Sequence, residues 1–214
     1  MDDIIIRPYQ SADRAAVRQI AWDTAFMGSP AEVFFSDKEV LSDFLTIYFT
    51  DHEPGSGFVA QSGDKVIGYL IGSRDSREME RIISGKISAG LFLKAVFRGT
   101  LFNLKNLTFI CHSLISLIRG EFKCPDFSAD YPAVMHINLK DGFRGKGAGS
   151  RLISAYLGYL KENKVPAVRL ATFSDKAKDF FLKNGFSLLF QQPRSYFRYL
   201  LGRDVQVYIY GRKL

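Results

Sequence analysis

The chain is poor in the residues that build disulfide and metal chemistry. It holds 2 cysteines in 214 residues, Cys111 and Cys124. Two such residues set up no disulfide framework and suit a reducing compartment. Neither falls with a histidine at a zinc-ligand spacing, so no metal is expected. Only 3 histidines are present, which leaves few side chains able to take a proton near neutral pH. Long apolar runs are missing as well. The uncharged stretch 106–118 is 13 residues, short of the roughly 18 that a spanning helix needs. The opening Met-Asp-Asp is acidic and lacks the basic region of a secretion signal. These absences predict a cytoplasmic protein with no transmembrane segment. No internal repeat or low-complexity tract is visible, and the length fits one domain, or a small domain carrying an insertion.

What is present begins with charge. Lys and Arg number 29 against 22 Asp and Glu, a net +7 that favours anionic partners without choosing among phosphorylated ligands, nucleic acid and membrane headgroups. The charge is uneven. Residues 74–123 carry nine Lys/Arg and four Asp/Glu, so 9 − 4 places +5 of the +7 there. That segment also reads as helical. Leu91, Phe92, Ala95, Val96 and Gly99 recur at 3–4 spacing, as do Leu104, Leu107, Thr108 and Cys111. Its basic helices are read either as a solvated cover, as a substrate lid or as a membrane-surface patch.

The sharpest local signal is Phe-Arg-Gly-Lys-Gly-Ala-Gly at 143–149. It lies between an apolar run, 131–139, that reads as a strand, and an amphipathic run, 150–160, that reads as a helix. Glycines let backbone N–H groups approach a ligand, and a helix N-terminus adds unpaired donors and partial positive charge, so the arrangement suits a pyrophosphate. Gly147 follows Lys146 where a Walker loop needs Ser or Thr, and the glycine spacing is wrong for a dinucleotide fingerprint. The pattern that remains is Arg/Gln-x-x-Gly-x-Gly/Ala, met by Arg144, Gly147 and Gly149. Downstream, 167–172 reads as a buried strand, Ser174 as a helix N-cap, and Ala177-Lys-Asp-Phe-Phe-Leu-Lys-Asn-Gly-Phe186 as a helix stopped by Gly185. Upstream, 4–8 reads as a strand, 11–13 as the start of a helix with apolar positions at 17, 20 and 21, and 57–72 as a hairpin turning at Gly63-Asp64.

In these two signatures and this order of elements the chain resembles the GNAT superfamily of acyl-CoA-dependent N-acyltransferases, over about 4–73 and 131–213. The resemblance implies an α/β fold with a mixed, mostly antiparallel sheet flanked by helices. A helical insertion, 74–130, would lie between the third and fourth strands of a single domain, 1–214. It implies acetyl-CoA as cosubstrate and a small amine as acceptor, with no metal and no nucleic-acid partner. Contact with a membrane surface and the oligomeric state are left open. Backbone groups of Ile137 and Leu139 would bind pantetheine and polarise the thioester. The loop Arg144, Gly145, Lys146, Gly147, Ala148, Gly149 and Ser150 would hold pyrophosphate, Lys146 as a general attractor of phosphate. Ser174, Ala177 and Phe181 belong to the second signature. His136 and Asn138 are the catalytic candidates, although a histidine so placed is more often a core side chain than a base. Where this chain has Ser174 and Phe181 the family often has asparagine and tyrosine. That tyrosine commonly protonates the leaving thiolate, which Phe181 cannot do. The leading function is therefore acetyl transfer to a primary amine, and the alternative a CoA-binding or regulatory relative without turnover. Because the insertion is basic and is expected to wall the acceptor pocket, a neutral or acidic acceptor is expected over a polyamine.

Overall fold

A computed structural model of the chain describes residues 3–214. Strand β1 (Ile4–Pro8) ends at a proline, which has no N–H to offer a ladder. Helix α1 (Arg14–Thr24) buries Val17, Ile20 and Ala21, the apolar positions expected from the spacing. Helix α2 (Lys38–Ile47) is capped by Asp37, whose carboxylate accepts from the N–H groups of Glu39 and Val40. The hairpin β2 (Phe58–Ser62) and β3 (Lys65–Ser73) follows. Three helices come next, α3 (Ser76–Ile82), α4 (Ser88–Phe97) and α5 (Leu104–Ile118). The chain then runs β4 (Ala133–Leu139), α6 (Ala148–Glu162), β5 (Ala167–Thr172), α7 (Lys178–Lys183), β6 (Ser187–Arg194), α8 (Arg198–Leu201) and β7 (Val205–Lys213).

The seven strands form one sheet in the order β1-β2-β3-β4-β5-β7-β6. Only β4 and β5 are parallel; every other pair is antiparallel. The sheet is thus mixed and mostly antiparallel, as the resemblance implies. Strand β3 is apolar almost throughout because both its faces are covered. Tyr69 and Ile71 pack with Val17 and Ile20 of α1 on one face. Leu70 and Met135 pack with Leu152, Tyr156 and Leu160 of α6 on the other.

The helical segment leaves and re-enters the sheet at one point. Ser73 and Val134 are register partners, and Ser76 N–H donates to Pro132 C=O at 2.8 Å. The buried Tyr156 hydroxyl donates between the carbonyls of Ser73 and Val134, at 3.2 and 3.0 Å. From there α4 reaches α2. Lys94 pairs with Asp43 at 2.5 Å and Arg98 with Asp37 at 2.9 Å.

The periodic apolar positions of these helices do not face the sheet. In α4 only Ala95 of the expected set is buried, and Gly99, at φ +69°, ends the helix instead of extending its stripe. In α5, Leu104, Leu107 and Cys111 are exposed. The buried positions are Asn106 and Ser116, with Phe109 packed against Phe34, Phe35 and Phe197. The polar side goes inward because its groups are satisfied there. Asn106 Oδ1 accepts from the N–H and hydroxyl of Ser36 at 2.8 and 3.1 Å, and its Nδ2 donates to Thr100 C=O at 2.9 Å. Ser116 donates to Glu121, which also accepts from Ser195 N–H at 2.6 Å. A period identifies an apolar stripe; it does not say which side that stripe faces.

Candidate active site

The sheet opens between β4 and β5. Their pairing covers only Ala133–Val168 and Val134–Arg169, and beyond it the two strands part. Backbone alternation sets what faces the gap. Lys140 N–H donates to Ile67 C=O at 2.8 Å, so the even-numbered residues of β4 bond β3. The N–H and C=O groups of Ile137 and Leu139 therefore point toward β5, where no ladder meets them. The carbonyl of Leu139 accepts from Arg144 Nε at 3.3 Å. This edge presents amide groups to an extended, amide-bearing ligand as an open strand would.

The glycine loop closes one end of the gap. Gly145 and Gly147 sit at φ +77° and +80°, where a side chain would strain the backbone, and Gly147 is the N-cap of α6. Arg151 N–H is the first of the helix to find its acceptor, the carbonyl of Gly147 at 3.1 Å. The N–H groups of Gly147, Ala148, Gly149 and Ser150 thus form the open first turn, at the positive end of a fifteen-residue helix. The glycines differ in purpose. A Cβ on Gly147 would meet nothing within 4 Å, whereas on Gly149 it would sit 2.9 Å from Phe180 Cζ. Gly149 is small so that α7 can approach α6. The Lys146 ammonium lies 5.2 Å from the Phe143 ring centroid, on the outside of the loop. The Arg144 side chain instead reaches across to the turn after α1, where it donates to Gly28 C=O at 3.2 Å.

The second signature lies on the other side of the gap. Ser174 occupies the N-cap of a short 3-10 turn, but its hydroxyl makes no capping bond, contrary to expectation; its N–H donates to Thr172 Oγ1 at 3.2 Å. Ala177 packs on the core beneath α6. Phe181 is 4 % exposed, its ring 5.1 to 5.8 Å from those of Phe180, Tyr210 and Phe186. It is a core side chain. Tyr208, opposite Thr172 in the β5–β7 register, donates its hydroxyl to Asp175 at 2.6 Å.

On the α1 face of the gap, His136 and Asn138 meet a residue that the sequence did not mark. Asn138 Nδ2 donates to the Tyr69 hydroxyl at 2.9 Å, and that hydroxyl stands 3.4 Å from His136 Nδ1. Tyr69 is opposite Asn138 in the β3–β4 register, information that only pairing supplies. Burial pushes the His136 imidazole down to about 4 and raises the Tyr69 phenol, the latter offset in part by the bond from Asn138. At neutral pH the trio is uncharged.

The sequence model of the Acetyltransferase (GNAT) family matches residues 114–186, the span that holds β4, the glycine loop, α6, β5 and α7. Over this segment the chain is similar to the GNAT family. Acetyltransferases of that family use acetyl-CoA, and the parted strands and open helix turn fit such a cosubstrate. Solved structures match the fold over nearly its whole length. A crystal structure of SsHAT aligns with 23 % identity over 99 % of this chain and 98 % of that one, TM-score 0.69. A polyamine N-acetyltransferase from Drosophila melanogaster, which forms N-acetylagmatine, aligns with 15 % identity over 99 % and 100 %, TM-score 0.58. A putative acetyltransferase from Salmonella typhimurium, solved with its cofactor acetyl-CoA, aligns with 14 % identity over 99 % and 94 %, TM-score 0.55. No curated protein sequence matches significantly. Among the described residues, no three His, Cys, Asp or Glu converge as metal ligands, and no helix is long and apolar enough to cross a membrane.

The insertion is placed differently from expectation. It is rooted at the closed end of β4, where Ala133 and Val134 still pair with β5, and the glycine loop lies at the other end. Lys94 and Arg98 are neutralised by α2 and its cap. Two of the cations behind the expectation of a neutral or acidic acceptor are thus already paired, and the segment is rooted at the end of β4 away from the glycine loop.

Proposed function

We propose that the protein transfers the acetyl group of acetyl-CoA to the primary amine of a small molecule. The observation that carries this reading is the parting of β4 from β5 beside the open first turn of α6. Acetyl-CoA, when bound, supplies the acyl group. The chain's own part is placement. N–H groups of Gly147 to Ser150 would take the pyrophosphate, and the free edge at Ile137 and Leu139 would align pantetheine and offer an N–H to the carbonyl oxygen as it gains charge. The attacking amine must arrive neutral and within reach of the thioester carbon, which is mainly an effect of positioning. His136, with Asn138 and Tyr69, would line that approach. As its conjugate acid is strong, His136 would accept the amine proton only to pass it to water. Phe181 offers no acid, so CoA would leave as the thiolate, a stable leaving group near neutral pH.

A second reading, binding without turnover, is favoured by one observation: Phe181 stands buried where the family often has its acid. Two measurements separate the readings. Calorimetry with acetyl-CoA should show Gly147→Val weakening binding at least tenfold, because φ +80° does not suit valine. Thiol release should then be followed with agmatine, spermidine, amino sugars and acidic amino acids. Equal affinity in the variant sinks the loop assignment; tight binding with no thiol release from any amine favours the second reading.

A further inference from the structure

The insertion turns an apolar face to the outside. Of the 18 large hydrophobic side chains exposed among the described residues, 12 fall between Phe92 and Phe122. The most exposed are Phe97 (86 %), Ile118 (85 %), Phe102 (82 %) and Leu104 (78 %), three of them around the α4–α5 turn. Monomeric proteins rarely leave so much contiguous apolar sequence uncovered without a use for it. A shallow apolar groove of ≈ 240 Å³ runs beside the outer stripe of α5, lined in part by Ile110, Leu114 and Leu117.

Charge says what covers this face. Residues 86–123 carry six cations and one acid, Glu121, which is turned inward onto Ser116 and Ser195. Lys94 and Arg98 are spent on α2. Lys86, Lys105, Arg119 and Lys123 have no carboxylate within ion-pair distance among the described residues, and they flank the apolar helices at both ends. A second copy docked by this face would bring these cations against their own kind. Apolar side chains flanked by unpaired Lys and Arg, with no outward acid in the segment, suit an anionic bilayer: the first enter the acyl boundary and the second meet headgroup phosphates. Among the described residues no helix is long and apolar enough to span the bilayer, so the contact proposed is with its surface.

We propose that the α4–α5 insertion docks the protein on the surface of an anionic lipid bilayer. The test is co-sedimentation of the full chain with vesicles of phosphatidylcholine alone, and with about 30 mol % phosphatidylserine. Binding to the anionic vesicles should be at least tenfold tighter, and should fall about tenfold between roughly 0.05 and 0.5 M salt as screening shortens the reach of the cations. The double variant F97S/F102S should lose tenfold or more in affinity. K86E/K123E should lose the preference for anionic lipid. Melting temperature and acetyl-CoA affinity should stay unchanged in both, since all four side chains lie outside the core and the cofactor gap. The proposal is overturned if the wild type ignores both vesicles, or binds them equally. It is also overturned if light scattering finds a stable dimer that F97S/F102S dissociates, for then a second copy covers the face.

Discussion

Acid should destabilise this protein through a histidine that cannot be charged where it sits. His136 titrates at about 4 in the fold against 6.5 in an open chain. The unfolded chain therefore takes the proton first. The stabilising share of this group is complete above pH 6.5 and is lost as pH falls from there toward 4. Integrating between the two values gives a loss of about 2 kcal/mol at pH 5 and about 3 kcal/mol at pH 4. Both are upper figures, because part of the residue opens on the cleft. Urea unfolding of the wild type and His136→Gln at pH 7, 6 and 5 reads this directly. Asp13 and Asp51 are held below the usual carboxylate range by hydrogen bonds from Arg7 and Arg14. Their contribution is lost only in stronger acid, and equally in both proteins. Going from pH 7 to 5, the variant should gain up to about 2 kcal/mol on the wild type. Parallel pH profiles would refute the reasoning and mean that water reaches the ring freely. The same value predicts that kcat/KM carries no break near pH 6.5 that disappears in His136→Gln.

Asn106→Ala should cost about 2–3 kcal/mol in thermal or urea unfolding, because Ser36 N–H and Thr100 C=O lose their partner while buried; a loss under about 0.5 kcal/mol would mean that water replaces the amide. Gly72→Ala should cost about 2–4 kcal/mol or prevent folding, since the new Cβ falls 2.2 Å from the Tyr156 hydroxyl and 2.6 Å from Val134 C=O; a melting point near wild type would show that the strand yields easily. Phe181→Tyr should lower stability by about 1–2 kcal/mol and leave the rate of thiol release no higher, because the new hydroxyl enters a close-packed aromatic cluster; a faster release would show that the ring swings into the cleft.

Local chemistry was readable in the sequence where it is local. β1 and β5 begin and end where their apolar runs do, because proline and turn residues bound them. The glycine loop was legible for the same reason: positive φ leaves few alternatives to glycine. What the sequence hid depends on pairing. The partner of Asn138 is Tyr69, sixty-nine positions away, and only the register brings them together. The Arg144 guanidinium bonds the turn at Gly28, a contact no local pattern announces. Gly149 looked like a second phosphate glycine, and its small size serves α7. The insertion was legible as helices, but its orientation was not: in the fold one asparagine, Asn106, bonded on three sides, decides which way α5 turns.

The fastening at Tyr156 has a consequence for how this chain can change over generations. One hydroxyl ties the last carbonyl of β3 to an early carbonyl of β4, so the sheet is closed before the insertion begins. Lengthening a loop whose ends are already held together costs only about 0.6 kcal/mol per doubling. Residues between the two ends are thus free to drift in length and composition with little effect on the cleft, as long as Asn106 keeps its bonds and Ala95 and Phe109 still cover the aromatic cluster around Phe34 and Phe197. Gly72 and Tyr156 have no such freedom. New surfaces, and with them new places for the enzyme to work, can be spliced in at this joint while the chemistry is inherited unchanged.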